Sequence, residues 1–520
     1  MNEFKKYIFG ITFLFLSAQS WAQITFQKTF STYGGCALSV QQTSDEGYIV
    51  GGWISGDLGQ FNMCLIKTDK YGDTLWVKKF KSASEAIGYS VQQTNDGGYI
   101  IGGKTVNSPT NGFYLVKTDN NGDTVWSKIY IGDFWQEGCS IHQTFDGGYV
   151  IAGSNRTTFS NDFKVYIIKT NELGDTVWAK SYGDTTQWPD YGYSIMQTTD
   201  HGYIIAGMYD DSLASNADVY LIKTDSSGNL LWSKTYGGTS NDWGYYVQET
   251  HDGGYIIAGT SISFGIAWSG YLIRTDVSGN VSWTKIYTET NTGDNDIFFN
   301  CVRETADGGF IVAGYDHYSS NYRDMFMLNT DLNGNLRWAK SYGGSDYDEG
   351  EYVQQTSDGG FIFAGCESSF GHGIYLVKTD DFGNSGCNQS DKGINISSPP
   401  TQERNPVTLV FPFTNTTLSS PNTIVSGGCS VTTHCFSKGI SDNSFNVFPN
   451  PSNNHFTIYS PNNLINKIVI FNTLGEIVYL NETVNQETKE IYCTLSAGIY
   501  FVRVATSEKE LTEKLMIVKH

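Results

Sequence analysis

The chain has 520 residues, with 33 basic against 53 acidic side chains and a formal net charge of −20. A surface of this sign repels nucleic acid and anionic lipid, which excludes both as main partners. The length suits two or three domains, each able to bury a core.

The N-terminus reads as an export signal. Lys5 and Lys6 form a short basic region, Tyr7 to Leu16 is almost wholly apolar, and Ser20-Trp21-Ala22 supplies small residues at a cleavage site. The apolar run is too short to span a bilayer. Cleavage is expected after Ala22, which removes Lys5, Lys6 and Glu3. The mature chain then has 31 basic and 52 acidic residues, net −21.

From Gln23 to Gly386 one block of about fifty residues returns seven times. Asp-Gly turn signals start at Asp45, Asp96, Asp146, Asp200, Asp252, Asp307 and Asp358, spaced by 51, 50, 54, 52, 55 and 51 residues. A second phrase, Lys-Thr-Asp or a close variant, starts at Lys67, Lys117, Lys169, Lys223, Arg274, Asn329 and Lys378. Each copy reads as four short strands. In the second copy Tyr89 to Thr94 alternates, Asp96-Gly97 is a hairpin signal, and Tyr99 to Gly102 is apolar on both faces, as a central strand requires. Tyr114 to Thr118 and Thr124 to Tyr130 follow, joined by a turn at Asp119 to Asp123.

The fourth strand carries Trp76, Trp126, Trp178, Trp232, Trp283 and Trp338, so only six copies have it. The missing one lies at the other end of the chain, where Phe26 to Phe30 aligns with Trp76 to Phe80. The N-terminal strand should therefore complete the seventh sheet. A periodic, strand-rich repeat of this size predicts an all-β seven-bladed β-propeller over 23–386. A linear solenoid would need capping repeats, which the split seventh copy argues against.

Residues 387–443 read as a connector, with Ser397-Ser398-Pro399-Pro400, Thr414 to Ser420 and Ser426-Gly427-Gly428 separating β-prone runs such as Val407 to Phe411. Nine cysteines are present. Cys36, Cys64, Cys139, Cys301 and Cys366 fall at non-equivalent positions of the repeats, so no bridge repeated per blade is expected. Cys387, Cys429 and Cys435 cluster after the repeats, and Cys387 is expected to pair with Cys435 or Cys429. Short alternating strands then run from Phe456 to Val518, a small immunoglobulin-like β-sandwich over 444–520.

This last segment resembles the type A C-terminal sorting domain of the type IX secretion system of Bacteroidota. The likeness rests on Val447-Phe448-Pro449-Asn450-Pro451, Ile470 to Gly475, Leu495 to Val502 and Glu513 to Val518. It implies passage through the outer membrane, handling by the secretion machinery, removal of the tail and a secreted or outer-membrane-surface location. The repeats resemble secreted propeller proteins of the same phylum, a likeness that implies no defined catalytic activity. Asp73-Thr74-Leu75, Asp123-Thr124-Val125, Asp175-Thr176-Val177 and Asp211-Ser212-Leu213 resemble the phylum's O-glycosylation acceptor; hairpin chemistry is the plainer reading of three of them.

Candidate ligand-binding residues lie in the blade-to-blade loops, which should all emerge on one face around the channel. They are the acids Glu85, Glu137, Asp190, Asp242, Asp296 and Asp348 and the aromatics Trp135, Trp188 and Trp243. Trp53, Phe264, Trp268, Tyr318 and Tyr322 lie in or beside the long loops. Acids next to aromatics suit sugar faces and hydroxyls, or a protein partner. The plainer readings are loop capping for the acids and interblade packing for the aromatics. No catalytic, zinc or dinucleotide signature is present. No cofactor is expected, with calcium as the alternative, although the Asp-x-x-Gly-Asp turn lacks the further ligands of a calcium loop. The reading is an exported, non-enzymatic propeller that binds a glycan or protein. A polysaccharide hydrolase or lyase using channel-mouth carboxylates, and a structural surface protein, are the alternatives.

Overall fold

The computed structural model describes residues 23–517 apart from 32–33, 57–58, 82–84, 107–111, 133–134, 157–162, 185–187, 212–215, 266, 291–295, 319–321, 370–371, 413–415, 420–422, 427–429, 439–445, 449–454, 460–463, 473–475, 482–483, 485, 487, 493–494, 497 and 507–509. The side chains of 135–139, 211, 318, 322, 412–455, 459, 488, 499 and 510–517 are likewise not described. Ala22, Cys429 and the Cys435 side chain thus fall outside the described residues.

Seven times the chain folds into the same antiparallel sheet. Blade 2 is typical, with Glu85–Gln93, Tyr99–Val106, Gly112–Thr118 and Thr124–Ile131 paired in that order. Its second and third strands are buried over most of their length, because each sheet is covered on both faces. The second strand of each blade packs on the first strand of the next. In blade 7 that strand, Phe361–Glu367, packs back on Gly35–Gln42 of blade 1. The ring is closed. As expected, the fourth strand of blade 7 is the N-terminal Ile24–Ser31, in register with Gly373–Thr379 (Phe26 opposite Lys378, Phe30 opposite Ile374).

The repeated phrases build and join the blades. Lys117 Nζ donates to the Asp96 carboxylate (2.8 Å) and to the Thr118 carbonyl (2.8 Å), so the two phrases clasp each other across one blade. Lys67, Lys169, Lys223, Arg274 and Lys378 do the same to Asp45, Asp146, Asp200, Asp252 and Asp358. Blade 6 has Asn329 at that position, and Arg337 from the next strand reaches Asp307 instead (2.6 Å). In the Asp-x-x-Gly-Asp turn, Asp119 Oδ1 accepts from the Asn121 and Asp123 N–H groups (2.9 and 2.8 Å), and Gly122 takes φ +77°. That carboxylate is spent on its own turn.

The fourth-strand aromatic is the joint between blades. The Trp76 ring meets Tyr99 of blade 2 edge-on, with centroids 5.7 Å apart. Its edge would sit 2.8 Å from a Cβ on Gly122, so only glycine admits it. At the closing joint Phe26 does the same to Tyr48 (6.0 Å) and Gly72.

The segment read as a connector is instead part of the sheets. It runs round the outside of the ring in reverse order and adds a fifth strand to every blade. Gln389–Asp391 pairs with blade 6, Ile394–Ser397 with blade 5, Gln402–Arg404 with blade 4 and Leu409–Pro412 with blade 3. Thr416–Ser419 then joins blade 2, Thr423–Ser426 blade 1 and Ser430–Lys438 the N-terminal strand of blade 7. The physical reason is the edge: the fourth strands would otherwise present unpaired N–H and C=O groups around the whole rim. We call this segment the belt. Its side chains also answer polar groups buried between blades. The Thr401 and Tyr271 hydroxyls are 2.7 Å apart, and Lys392 pairs with Asp316 (2.5 Å) and Glu289 (3.4 Å).

Asn446–Phe448, His455–Tyr459 and Thr488–Tyr492 form one sheet of the C-terminal sandwich. Ile477–Asn481, Ile465–Asn472, Gly498–Thr506 and Glu510–Ile517 form the other. Phe456, Ile458, Ile468, Ile470, Val502 and Val504 fill the core between them. No helix among the described residues is long and apolar enough to cross a membrane.

Cys387 is disulfide-bonded, and its partner lies outside the described side chains. A second bridge was not foreseen. Cys36 in the first strand of blade 1 is joined to Cys366 in the second strand of blade 7, with Cα atoms 4.4 Å apart and a sequence separation of 330. It crosses the same joint that Phe26 closes. Replacing both cysteines by serine should lower unfolding free energy by roughly 2–5 kcal/mol, measured by denaturant titration of the oxidised protein. An unchanged midpoint would show that closure does not depend on the bridge.

Candidate functional site at the channel mouth

Four strands per blade put the blade-to-blade connections and the long second-to-third-strand loops on one face. The Asp-Gly and Asp-x-x-Gly-Asp turns lie on the other. The seven first strands line the central channel, and each carries a register shift at the same place. Such a bulge leaves one residue outside the pairing and re-aims its side chain. In the six blades other than blade 3 the skipped residues are Leu38, Tyr89, Tyr193, Tyr245, Asn300 and Glu351, and all six line one cavity of about 450 Å³. Lys104, Tyr246, Tyr352 and the serines Ser90, Ser140 and Ser194 complete it.

The cavity wall is chemically mixed. Asn300 Nδ2 donates to Glu351 Oε2 (3.1 Å). Burial pushes the Glu351 carboxyl up to about 8, and the neighbouring Glu349 charge adds to this. Glu349 itself is paired with Arg323. Lys104 stands over the Tyr89 ring at 5.8 Å. These groups were not among the expected site residues. Their signal was the variation, copy by copy, at one position of the first strand.

Around the mouth the rings form a continuous arc. Tyr191 stacks on Tyr193 (5.9 Å), and Tyr193 lies tilted against Tyr245 (5.4 Å). Trp243 lies against both Tyr245 (6.4 Å) and Trp268 (4.7 Å). Trp268 continues to Phe298 (6.2 Å), and Phe298 to Tyr315 (4.8 Å). All of these rings are half-buried, so each keeps part of its surface open to solvent. The buried Trp243 Nε1–H has no hydrogen-bond partner among the described residues. Trp53 lies apart, against Phe61 (4.5 Å), and Phe264 against Tyr271 (5.8 Å). Trp188 is half exposed, at 50 %, beside Lys164.

The acids expected in the blade-to-blade loops instead begin the first strands, at Glu85, Asp190, Asp242, Asp296 and Asp348, and they are mostly turned inward. Asp242 Oδ2 accepts from Gly238 N–H (2.8 Å) and the Ser263 hydroxyl (2.6 Å). Asp348 accepts from Gly344 N–H (2.9 Å), Ser368 N–H (3.1 Å) and the Ser369 hydroxyl (2.7 Å). Asp190 is buried against Lys164 (3.1 Å), and burial lifts its pKa to about 7. Asp296 accepts from Trp268 N–H (2.9 Å), which holds that indole in the arc. Glu85 is half-buried at the start of its strand. The side chains of Trp135, Glu137, Tyr318 and Tyr322 fall outside the described residues. Thus Asp242, Asp296 and Asp348 fasten the loops that present the aromatics. Of the acceptor-like motifs, Asp73 and Asp123 pair with Lys28 and Lys78 of the preceding blade (2.5 and 2.7 Å), while the Asp211 side chain and Ser212 fall outside the described residues.

The raised Glu351 carboxyl has a consequence for stability. The folded state holds its proton up to about pH 8, whereas an unfolded Glu loses it near 4.5. Between these values the unfolded state binds fewer protons, so this group makes the fold less stable as pH rises. Glu351→Gln should therefore match the wild type at pH 4 and exceed it by more than about 1 kcal/mol at pH 9, read by denaturant titration at both pH values. Equal stability at pH 9 would place Glu351 in contact with bulk water.

Solved structures with similar strand arrangements are remote. Sqt1 from Chaetomium thermophilum matches with a TM-score of 0.39 at 10% identity, covering 66% of this chain and 83% of that one. A putative glycoside hydrolase from Parabacteroides distasonis matches at 0.28 and 8%, covering 51% and 93%. A hypothetical protein from Leishmania major matches at 0.28 and 12%, covering 49% and 89%. Likenesses of this degree carry no argument about activity. No curated relative matches the chain in sequence. Residues 446–518 match the secretion system C-terminal sorting domain, which marks proteins handled by the type IX machinery and secreted to the cell surface or extracellular space.

Proposed function

We propose that the protein is an exported propeller, displayed at the surface of a Bacteroidota cell after signal-peptide removal, that binds a glycan at its channel mouth without cleaving it. The observation that carries this reading is the arc from Tyr191 to Tyr315 bordering a cavity with amide, carboxyl, hydroxyl and ammonium groups. Half-exposed aromatic rings offer flat apolar faces to sugar C–H groups, and the polar wall offers partners for hydroxyls. The cavity volume suits one or two sugar rings.

One observation favours hydrolysis as a second reading. Glu351 keeps its proton near neutral pH beside Glu349, an arrangement that suits a general acid next to a second carboxylate.

A single experiment addresses both. The mature chain is incubated with a panel of neutral and acidic polysaccharides, and retention and released sugar are both measured. Retention without product is expected, weakened at least about tenfold by Trp243→Ala. Product that disappears in Glu351→Gln would replace binding by hydrolysis, and no retention on any polysaccharide would overturn the glycan reading.

A further inference from the structure

The first strand of each blade ends in a recurrent phrase, Val-Gln-Gln-Thr or a variant. The first Gln of this phrase has a defined task. Gln41, Gln92, Gln248 and Gln354 each accept, through Oε1, the backbone N–H of the next blade, from Gln93, Gln143, Glu304 and Gln42 (2.6, 2.8, 2.8 and 3.0 Å). Blade 4 places the Met196 thioether there, facing Glu249 N–H. Blades 3 and 6 depart from the pattern, with His142 and Arg303. Arginine has no acceptor atom, so Arg303 gives up a joint that the first strands of blades 1, 2, 4, 5 and 7 make.

Arg303 also lacks a counter-charge. No carboxylate pairs with it among the described residues, although the chain has 53 acidic side chains. It lies between the Tyr246 and Tyr352 rings, 5.1 and 5.2 Å from their centroids, and donates to the Tyr352 hydroxyl. Its buried Nε–H has no hydrogen-bond partner among the described residues. Across the channel burial keeps the His142 imidazole neutral, and the Arg303 charge adds to this. A desolvated guanidinium held by two ring faces, a phenol and the Cys301 thiol, with no carboxylate paired to it among the described residues, is under-compensated. Tyr246 and Tyr352 are also walls of the cavity, where Lys104 supplies a second cation. Even with Glu351 ionised, this part of a strongly acidic protein carries net positive charge.

We propose that Arg303 anchors an oxyanion site on the turn side of the central cavity, and that the glycan bound there presents an acidic sugar whose carboxylate or sulfate meets Arg303. The sugar part rests on the function proposed above; the oxyanion part stands on the channel residues alone. His142 lies across the channel from the anion, Lys104 flanks it, and the tyrosines hold the ring.

Arg303→Gln tests this directly, because it restores the residue that four other copies carry and so favours folding. The full mature chain is titrated at fixed ionic strength with galacturonate, galactose and sodium sulfate, and binding is read by calorimetry and by melting temperature. Galacturonate should bind at least tenfold more tightly than galactose, sulfate should compete, and Arg303→Gln should melt no lower than wild type while losing the preference. Should that variant fail to fold, Lys104→Gln should still weaken galacturonate and not galactose. Equal binding of the two sugars, or a preference retained in Arg303→Gln, would overturn the oxyanion site while leaving glycan binding intact. Sulfate binding through Arg303 with neither sugar bound would support the site and overturn the glycan reading.

Discussion

Everything in the propeller depends on covering both faces of each four-stranded sheet. The central strands are apolar on both sides, so a blade alone would expose two faces of Ile, Val, Leu and Tyr. The neighbour supplies the cover, and the contact is indexed by one aromatic resting on one turn glycine of the next blade. The requirement passes round the ring until it returns to its start. Phe26 meets it there, seated on Gly72 and Tyr48, and the Cys36–Cys366 bridge spans the same joint. An open row of seven such sheets would leave two apolar faces in water.

Covering the faces leaves the outer edges. The belt resolves this with strands of three to nine residues, each too short to persist alone, laid against fourth strands that are already fixed. Prolines at 399, 400, 406 and 412 fall between or at the ends of these strands, where a missing N–H costs nothing. The belt also settles charge. Lys392 sits among Glu289, Asp316 and Asp324, and Arg404 beside Asp218. It ends at Lys438 on the N-terminal strand, so both closing elements lie in one sheet before the sorting domain begins.

The ring was legible in the sequence because it rests on local chemistry. Asp-Gly hairpins, the Lys-Thr-Asp clasp and the alternation of each strand involve residues within one copy, and the missing Trp strand pointed to Phe26. The belt was not legible as sheet. Its strands satisfy no local pattern, although their spacing of seven to eight residues from Ile394 to Ser430 was a signal. Nor was the Cys36–Cys366 pairing, because first-strand and second-strand positions become neighbours only across the joint. At the site, the stretch carrying Asp242 and Trp243 was legible, although it begins a strand, and its acid proves to fasten the adjoining loops. Glu351 and Arg303 escaped notice because each sits inside a strand phrase and differs only when the seven copies are compared position by position.

The central claim is that the belt and the ring form one cooperative unit. Native-state hydrogen exchange on the mature chain tests it most directly. The account predicts that amides in Ile394–Ser397, Gln402–Arg404 and Ser430–Lys438 exchange as slowly as those of the fourth strands they pair with, and are lost together with them in denaturant. Belt amides that exchange within seconds while the four-stranded blades stay protected would contradict it.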